Sequence, residues 1–215
     1  MKKPRVLMAD DHSLILAGLR KLVEGECDVV GTVEDGRALV AAAQKLRPDL
    51  ILLDISMPLL NGLDAARQLR TLAPESKLIF LTMHASPTYA TEAFQAGASG
   101  YLLKRSAASE LSLAIRSVLQ GQDYLTPSLT KDVLNSFLKP SSGERDKLAS
   151  GALTARQREV LQLVAEGGGT KKIATILNVS VKTVEFHKFR IMQQLDIHTT
   201  ADLTKYAITH GITGL

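Results

Sequence analysis

The chain has 215 residues, 45% of them hydrophobic, and a net charge of +4. That is enough for one or two domains with proper cores, and too little charge for bulk electrostatics alone to announce a nucleic-acid partner. The single cysteine, Cys27, excludes an intramolecular disulfide framework and suits a reducing compartment. Only a short apolar run follows Met1-Lys2-Lys3-Pro4, and no run approaches the ~20 residues of a membrane span. A cytoplasmic protein with no signal peptide and no membrane association is expected.

In chain order, Arg5–Ala9 reads as a short strand, closed by Asp10-Asp11-His12. A helix is expected from Ser13 to about Val23, with Ser13 as N-cap and Leu14, Leu19, Leu22 and Val23 as its buried side. Asp28–Val33 is a second strand, and the alanine-rich Gly36–Leu46 a helix that Arg47-Pro48-Asp49 breaks. Leu50-Ile51-Leu52-Leu53 is continuously apolar, the pattern of a strand buried on both faces of a parallel sheet. Asp54 closes that run, and Met57-Pro58 ends its regular structure. A helix then follows Asn61-Gly62. Next come the strand Leu78–Thr82, a helix from about Thr88 to Ala96, the strand from Gly100 to Lys104, and a helix from Ala107 to about Leu119. Five strands alternating with five helices predict a doubly wound parallel sheet of about 120 residues. Neither Gly-x-Gly-x-x-Gly nor a Walker-type loop occurs, which argues against a dinucleotide or nucleoside triphosphate site.

Residues 122–150 read as a linker. It carries a helix from Ser128 to Leu138, striped by Leu129, Val133, Leu134 and Phe137, and then a polar flexible stretch, Lys139–Lys147. From 151 to 215 the pattern is all helical. Thr154 and Gln157 form a capping-box pair, Gly167-Gly168-Gly169 stops the helix they open, and Thr170 caps a short helix. Asn178-Val179-Ser180 is a tight turn, with Ser180 capping a longer helix from Val181 to about Leu195; a last helix runs from Thr200 to Thr209. A short helix, a tight turn and a longer helix with polar and basic outward positions (Lys182, Thr183, Glu185, His187, Lys188, Arg190) make a helix-turn-helix. The charge excess is in this part: residues 151–215 carry 8 Lys+Arg against 5 Asp+Glu, whereas residues 1–125 carry 14 of each.

The strand ends carry the chemistry. Asp10 and Asp11, Asp54, Thr82 and Lys104 each close a successive strand on one sheet edge, where open α/β sheets place their ligands. Three clustered carboxylates favour a hard divalent cation with oxygen ligands. An attacking acid, a cation, a hydroxyl and an amine are what phosphoryl transfer to a carboxylate needs, with Asp54 as nucleophile and Thr82 and Lys104 on the remaining phosphoryl oxygens.

Those residues, with Asp54-x-x-Met57-Pro58-x-x-Asn61-Gly62 and Tyr101, give residues 5 to about 120 a plain resemblance to the receiver domain of response regulators. The stretch Leu153-Thr154-x-Arg156-x-Arg158-Glu159-Val160-Leu161, with Glu166-Gly167, Lys171-x-Ile173-Ala174 and Val179-Ser180-x-Lys182-Thr183-Val184-x-x-His187, resembles a LuxR-type DNA-binding domain. Together the chain resembles the NarL/FixJ family of response regulators. The resemblance implies a flavodoxin-like receiver (1–121), a linker (122–150) and a small all-α helix-turn-helix domain (151–215). It implies phosphorylation of Asp54 by a histidine kinase, with magnesium (Mg2+) held by Asp11, Asp54 and the Ser56 carbonyl, and by Asp10 through water. Tyr101 would be an aromatic switch that turns inward as Thr82 engages the phosphoryl group. The implied partners are promoter DNA and, on phosphorylation, a second copy of the chain. Candidate DNA contacts are Thr170, Lys171, Lys182, Thr183, His187, Lys188 and Arg190. Gly168-Gly169 stands where the family carries longer side chains, which implies a looser turn.

Alternatives remain at single positions. His12 is either a wall of the site or a surface residue, and His84 either lines the entrance or is solvated. A hydrolase passing through an aspartyl phosphate would need a carboxylate where Ser56 stands. A regulator acting through protein contact without reading DNA is the remaining alternative. It is not expected to be an enzyme.

Overall fold

The computed structural model describes residues 2–138 and 153–214. It divides into two units, Met1–Pro140 and Ser141–Leu215.

In the first unit, β1 (Arg5–Ala9), β2 (Asp28–Val33), β3 (Leu50–Leu53), β4 (Lys77–Thr82), β5 (Gly100–Leu103) and β6 (Tyr124–Leu125) make one parallel sheet in the order β2-β1-β3-β4-β5-β6. Successive strand residues point to opposite faces, so a strand covered on both sides must be apolar throughout. β3 shows this directly. Ile51 and Leu53 face one core with Leu39, Leu63, Leu69, Ala90 and Ala93, while Leu50 and Leu52 face the other with Leu16, Leu19, Leu111, Ile115 and Val118. The first core is roofed by α2 (Gly36–Leu46), α3 (Gly62–Leu72) and α4 (Pro87–Gln95), the second by α1 (Ser13–Val23) and α5 (Ala107–Leu119).

Several expectations need correcting. The sheet has a sixth strand, the two-residue β6, parallel to β5. The buried stripe of α1 is Leu16, Leu19 and Val23, whereas Leu14 is 84% and Leu22 46% exposed. The residue capping α1 is His12, not Ser13, and its side chain makes no cap hydrogen bond. The helix expected inside the linker, α6 (Pro127–Leu138), packs on α4, with Leu129 and Val133 buried in the first core; Leu134 is exposed. Buried Thr126 ties this extension to the sheet. Its N–H donates to the Tyr101 carbonyl (3.0 Å) and its hydroxyl accepts from the Leu103 N–H (3.2 Å). The Phe137 side chain and the polar stretch 139–147 lie outside the described residues.

The second unit holds α7 (Ala155–Ala165), α8 (Thr170–Leu177), α9 (Val181–Leu195) and α10 (Thr200–Thr209). The Thr154/Gln157 capping box is present in both directions. Gly169, not Thr170, caps α8. The glycine turn is not loose: Gly167 takes φ 79° and the N–H of Gly168 donates to the Leu163 carbonyl at 2.9 Å, satisfying an end of α7. Asn178, at φ 51°, turns the chain between α8 and α9, and Ser180 caps α9 by accepting from the Thr183 N–H. Val160, Leu161, Ile173, Leu177, Val184, Ile191 and Leu203 are among the buried side chains of this unit. Among the described residues, no helix is long and apolar enough to cross a membrane.

Because Leu129 fills the space between α6 and the sheet, Leu129→Ala is expected to lower the stability of the first unit by about 2–5 kcal/mol. Urea unfolding of the full chain measures this. A change within experimental scatter would show that α6 contributes nothing to the core.

Candidate functional site

The order of the sheet reverses at β1, with β2 on one side and β3 on the other, and the crevice at the carboxyl ends of β1 and β3 is where such sheets bind ligands. The backbone sets this edge: the Asp54 N–H donates to the Ala9 carbonyl at 3.0 Å and the Asp10 N–H to the Val33 carbonyl at 3.1 Å. Asp10 and Asp54 therefore leave neighbouring strands at one level. Their side chains are 2% and 5% exposed, and Lys104 reaches both from the end of β5. Its Nζ lies 2.7 Å from Asp10 Oδ2 and 2.8 Å from Asp54 Oδ2. Burial pushes the Lys104 ammonium toward losing its proton, but its hydrogen bonds to Asp10 and Asp54 and their charges outweigh this, and its pKa is raised. Asp54 Oδ1 accepts from its neighbour's N–H, that of Ile55, at 2.6 Å.

The loop after β3 is drawn tightly around Asp54. Leu59 adopts the left-handed φ of 64°, and the Gly62 N–H donates to the Ile55 carbonyl at 2.8 Å. A Cβ on Gly62 would stand 1.9 Å from the Asp54 carbonyl oxygen, so only glycine permits α3 to start here. Asn61 caps α3 through the Asp64 N–H.

Asp11 stands at the mouth of the site, and Asp10, Asp11 and His12 bring one ligand atom each to within 4.8 Å of one another. His12 Nδ1 is 2.8 Å from Asp11 Oδ1 and 3.2 Å from Asp10 Oδ1, which makes it a wall of the site although 65% exposed. The carboxylate oxygens of Asp10, Asp11 and Asp54 are hard donors gathered on one edge, a set that fits a magnesium ion better than a softer metal.

On the far side lies the backbone of His84. Its N–H donates to Thr82 Oγ1 at 3.3 Å, and its carbonyl accepts from the Tyr101 hydroxyl at 2.8 Å. Thr82 and Tyr101 are fully buried. The His84 ring is half-buried: Nε2 is 2.9 Å from Ser56 Oγ, and the ring stacks on Tyr89 at 4.3 Å between centroids. Burial, then the charge of Asp54, then Tyr89 hold the Tyr101 phenol far above its ordinary pKa.

In the second unit, Val184 and Ile191 turn α9's inner side to the core. Lys182, Phe186, Phe189 and Gln193, at spacings of four, three and four, then form the opposite, outermost line, and all four are exposed. The sequence analysis assigns no role to Phe186 and Phe189, which the structure leaves exposed. Thr183 is half-buried, its hydroxyl 2.9 Å from Ser180 Oγ, and His187 is half-buried. Lys188 lies beside the inner seam and donates to Thr200 Oγ1 at 2.9 Å, while Arg190 is exposed with its guanidinium 5.5 Å from the Phe186 ring centre. Thr170 and Lys171 open α8, the lysine fully outward.

Comparison with known proteins agrees with both halves. Residues 6–116 match the family described as response regulator receiver domain, and residues 151–207 the luxR family of bacterial regulatory proteins. The oxygen regulatory protein NreC of Staphylococcus epidermidis is 38% identical over 215 residues, covering 95% of this chain and 96% of its own. The response regulator UvrY of Escherichia coli is 34% identical over 209 residues, covering 96% of this chain and 94% of its own. Among solved structures, the RcsB response regulator of Salmonella typhimurium aligns with a TM-score of 0.64 at 28% identity, each chain covered in full. A complex of RcsB with DNA aligns with a TM-score of 0.58 at 28% identity, covering 95% of this chain and 98% of that one.

Lys104→Met would strand two buried carboxylates without their shared cation, and a loss of about 3–5 kcal/mol is expected in metal-free urea unfolding. An unchanged midpoint would mean the bridge is energetically idle. Tyr101 supplies a pH test. A raised pKa means the folded protein holds the proton more tightly, so this stabilisation is complete below the ordinary tyrosine pKa of 10.0 and is lost as pH rises through the higher folded value. Of the four tyrosines, Tyr101 is expected to ionise last by ultraviolet absorbance. A last step that survives in Tyr101→Phe would contradict this.

Proposed function

Because the chain belongs to the NarL/FixJ family of response regulators, which join a receiver to a LuxR-type DNA-binding domain, we propose that Asp54 is its phosphoacceptor and that α9 is its DNA-reading helix. The chain is a DNA-binding regulator of a two-component system. The reading gives a receiver of residues 1–121, a segment 122–150 whose β6 and α6 pack onto the receiver's sheet and core, and a DNA-binding domain 151–215. The observation that carries the site assignment is the Lys104 ammonium held between Asp10 and Asp54 at the point where the strand order reverses.

In this reading an Asp54 carboxylate oxygen attacks the phosphorus of a kinase phosphohistidine. The new P–O bond forms as the P–N bond breaks, and the imidazole keeps the electron pair. Asp10, Asp11, Asp54 and the Ser56 carbonyl would hold a magnesium ion, which neutralises charge on the phosphoryl oxygens when bound. Lys104 is already within 2.8 Å of the nucleophilic carboxylate and can follow a transferred phosphoryl oxygen without leaving Asp10. Thr82 Oγ1 accepts from the His84 N–H and keeps its own O–H to donate to that group, while the His84 carbonyl holds the Tyr101 hydroxyl. The hydroxyl and the phenol thus meet the backbone of one residue, His84, and the Tyr101 carbonyl accepts from the Thr126 N–H just before α6. Such a relay can change the surface offered to a second copy of the chain.

On the DNA side, Lys182 in the first turn of α9 is the candidate for a base edge, joined by Thr183. Thr170, Lys171, His187, Lys188 and Arg190 are candidates for phosphates at the groove's rim. The same reading places the protein in the cytoplasm, without chemistry beyond its own phosphorylation.

Asp54→Asn is expected to keep the fold and to abolish acid-labile phosphate after incubation with acetyl phosphate and magnesium. Wild type so treated should self-associate more and bind duplex DNA more tightly, as light scattering and anisotropy titration measure. Undiminished labelling of Asp54→Asn would refute the phosphoacceptor. Labelling that leaves DNA affinity and association unchanged would favour a regulator acting through protein contact.

A further inference from the structure

Among the described residues, two of the more exposed large apolar side chains stand on α9. Phe186 is 55% and Phe189 58% exposed, three residues apart on the outermost line of the helix. Helical packing does not use them, since Val184 and Ile191 face the core and are each 1% exposed. A paired aromatic patch left in water on a surface helix marks a binding surface. Its surroundings select the occupant. Lys182 precedes the pair on the same line, the Arg190 guanidinium sits over the Phe186 ring, and Lys171 and Lys172 stand exposed at the start of α8. Apolar rings bordered by four cationic side chains and one exposed acid, Glu185, suit the major groove of a duplex, where phosphates form the walls and the thymine methyl is the one apolar group on the floor.

Resting on the reading of α9 as the helix that enters DNA, we infer that Phe186 and Phe189 determine specificity by packing on thymine methyl groups. Three residues of α-helix advance about 4.5 Å, close to the ~3.4 Å between successive bases, so the two rings address neighbouring base pairs. Their preferred sequence therefore carries thymines at adjacent positions, on one strand or across it. Arg190 keeps the Phe186 ring in place by a cation–π contact while its charge remains directed toward the phosphate wall. Lys182 supplies polar readout beside the pair. The surface thus reads its site chiefly by shape and methyl contact at these two positions, and not by a bidentate hydrogen bond.

Thymine differs from uracil only by that methyl, which makes the inference testable atom by atom. The full chain, incubated with acetyl phosphate and magnesium, selects its preferred duplex from a random pool. That duplex is then titrated beside a copy in which every thymine is replaced by uracil. Wild type is expected to bind the uracil copy more weakly by about fourfold per methyl met, and so by about fifteenfold for two neighbouring thymines. The double variant Phe186→Ala/Phe189→Ala, altered only at exposed positions, is expected to bind the thymine duplex more weakly by a similar factor and to make no distinction between the two duplexes. Equal wild-type affinity for both copies overturns the inference while leaving DNA binding intact. So does a double variant that keeps the wild-type ratio, or one that binds the thymine duplex undiminished, which would leave the pair to a protein partner. A wild type that enriches no sequence and binds no duplex overturns the DNA-reading function itself, and the methyl contact with it.

Discussion

One ammonium group joins three strand ends. Lys104 at the end of β5 holds Asp10 from β1 and Asp54 from β3, all three side chains nearly out of water. Neither carboxylate is tolerable there alone, because a buried charge without a partner is costly. The pair becomes tolerable only because the parallel register brings the strand ends level. The bond from Asp54 N–H to the Ala9 carbonyl, the glycine that lets α3 begin against Asp54, and the left-handed Leu59 all serve that alignment. The functional edge is therefore a consequence of the sheet, and the sheet's two dry faces are a consequence of the unbroken apolar runs.

Much of this was legible in the sequence because the signals were local. Four apolar residues in a row, bounded by a proline break before and a polar residue after, read as a strand covered on both faces, and the polar residue closing such a run falls at the sheet edge. Which residues meet there depends on strand order, which one chain does not state; the resemblance supplied it. Other features depend on contacts distant in sequence. Two residues, Tyr124 and Leu125, carry no periodicity, and they become a strand only because β5 offers an open edge. On α1, Leu14 and Leu22 look as apolar as Leu16, and only the direction of approach to the sheet shows which of them are covered. Capping was readable where a side chain makes the bond, as at Thr154 and Ser180, and misread by one residue at α1 and α8, where no side chain does.

Helix α9 shows the same limit from the other side. Basic residues attract notice in a sequence as DNA contacts, whereas phenylalanines pass as core. Placing Val184 and Ile191 inward fixes the rotation of α9, and that rotation turns Phe186 and Phe189 to water and brings Lys188 against Thr200. The phenylalanines are thus more exposed than Lys188, which is half-buried beside the seam. The signal that could have found them is the seven-residue spacing of Val184 and Ile191, with both phenylalanines on the far side of the wheel.

The seat of α6 bears on how such proteins can be recombined. Leu129 and Val133 belong to the core of the first unit, and Thr126 is stitched to β5 beside Lys104. A chimera that exchanges DNA-binding domains by cutting after α5 would transplant those side chains into a foreign context and leave a hole beside the sheet. A junction beyond Leu138 carries them along with their own receiver. The modular seam of this architecture therefore lies a full helix later than the alternation of strands and helices suggests, and an engineer or a recombination event that respects it inherits an intact signalling edge.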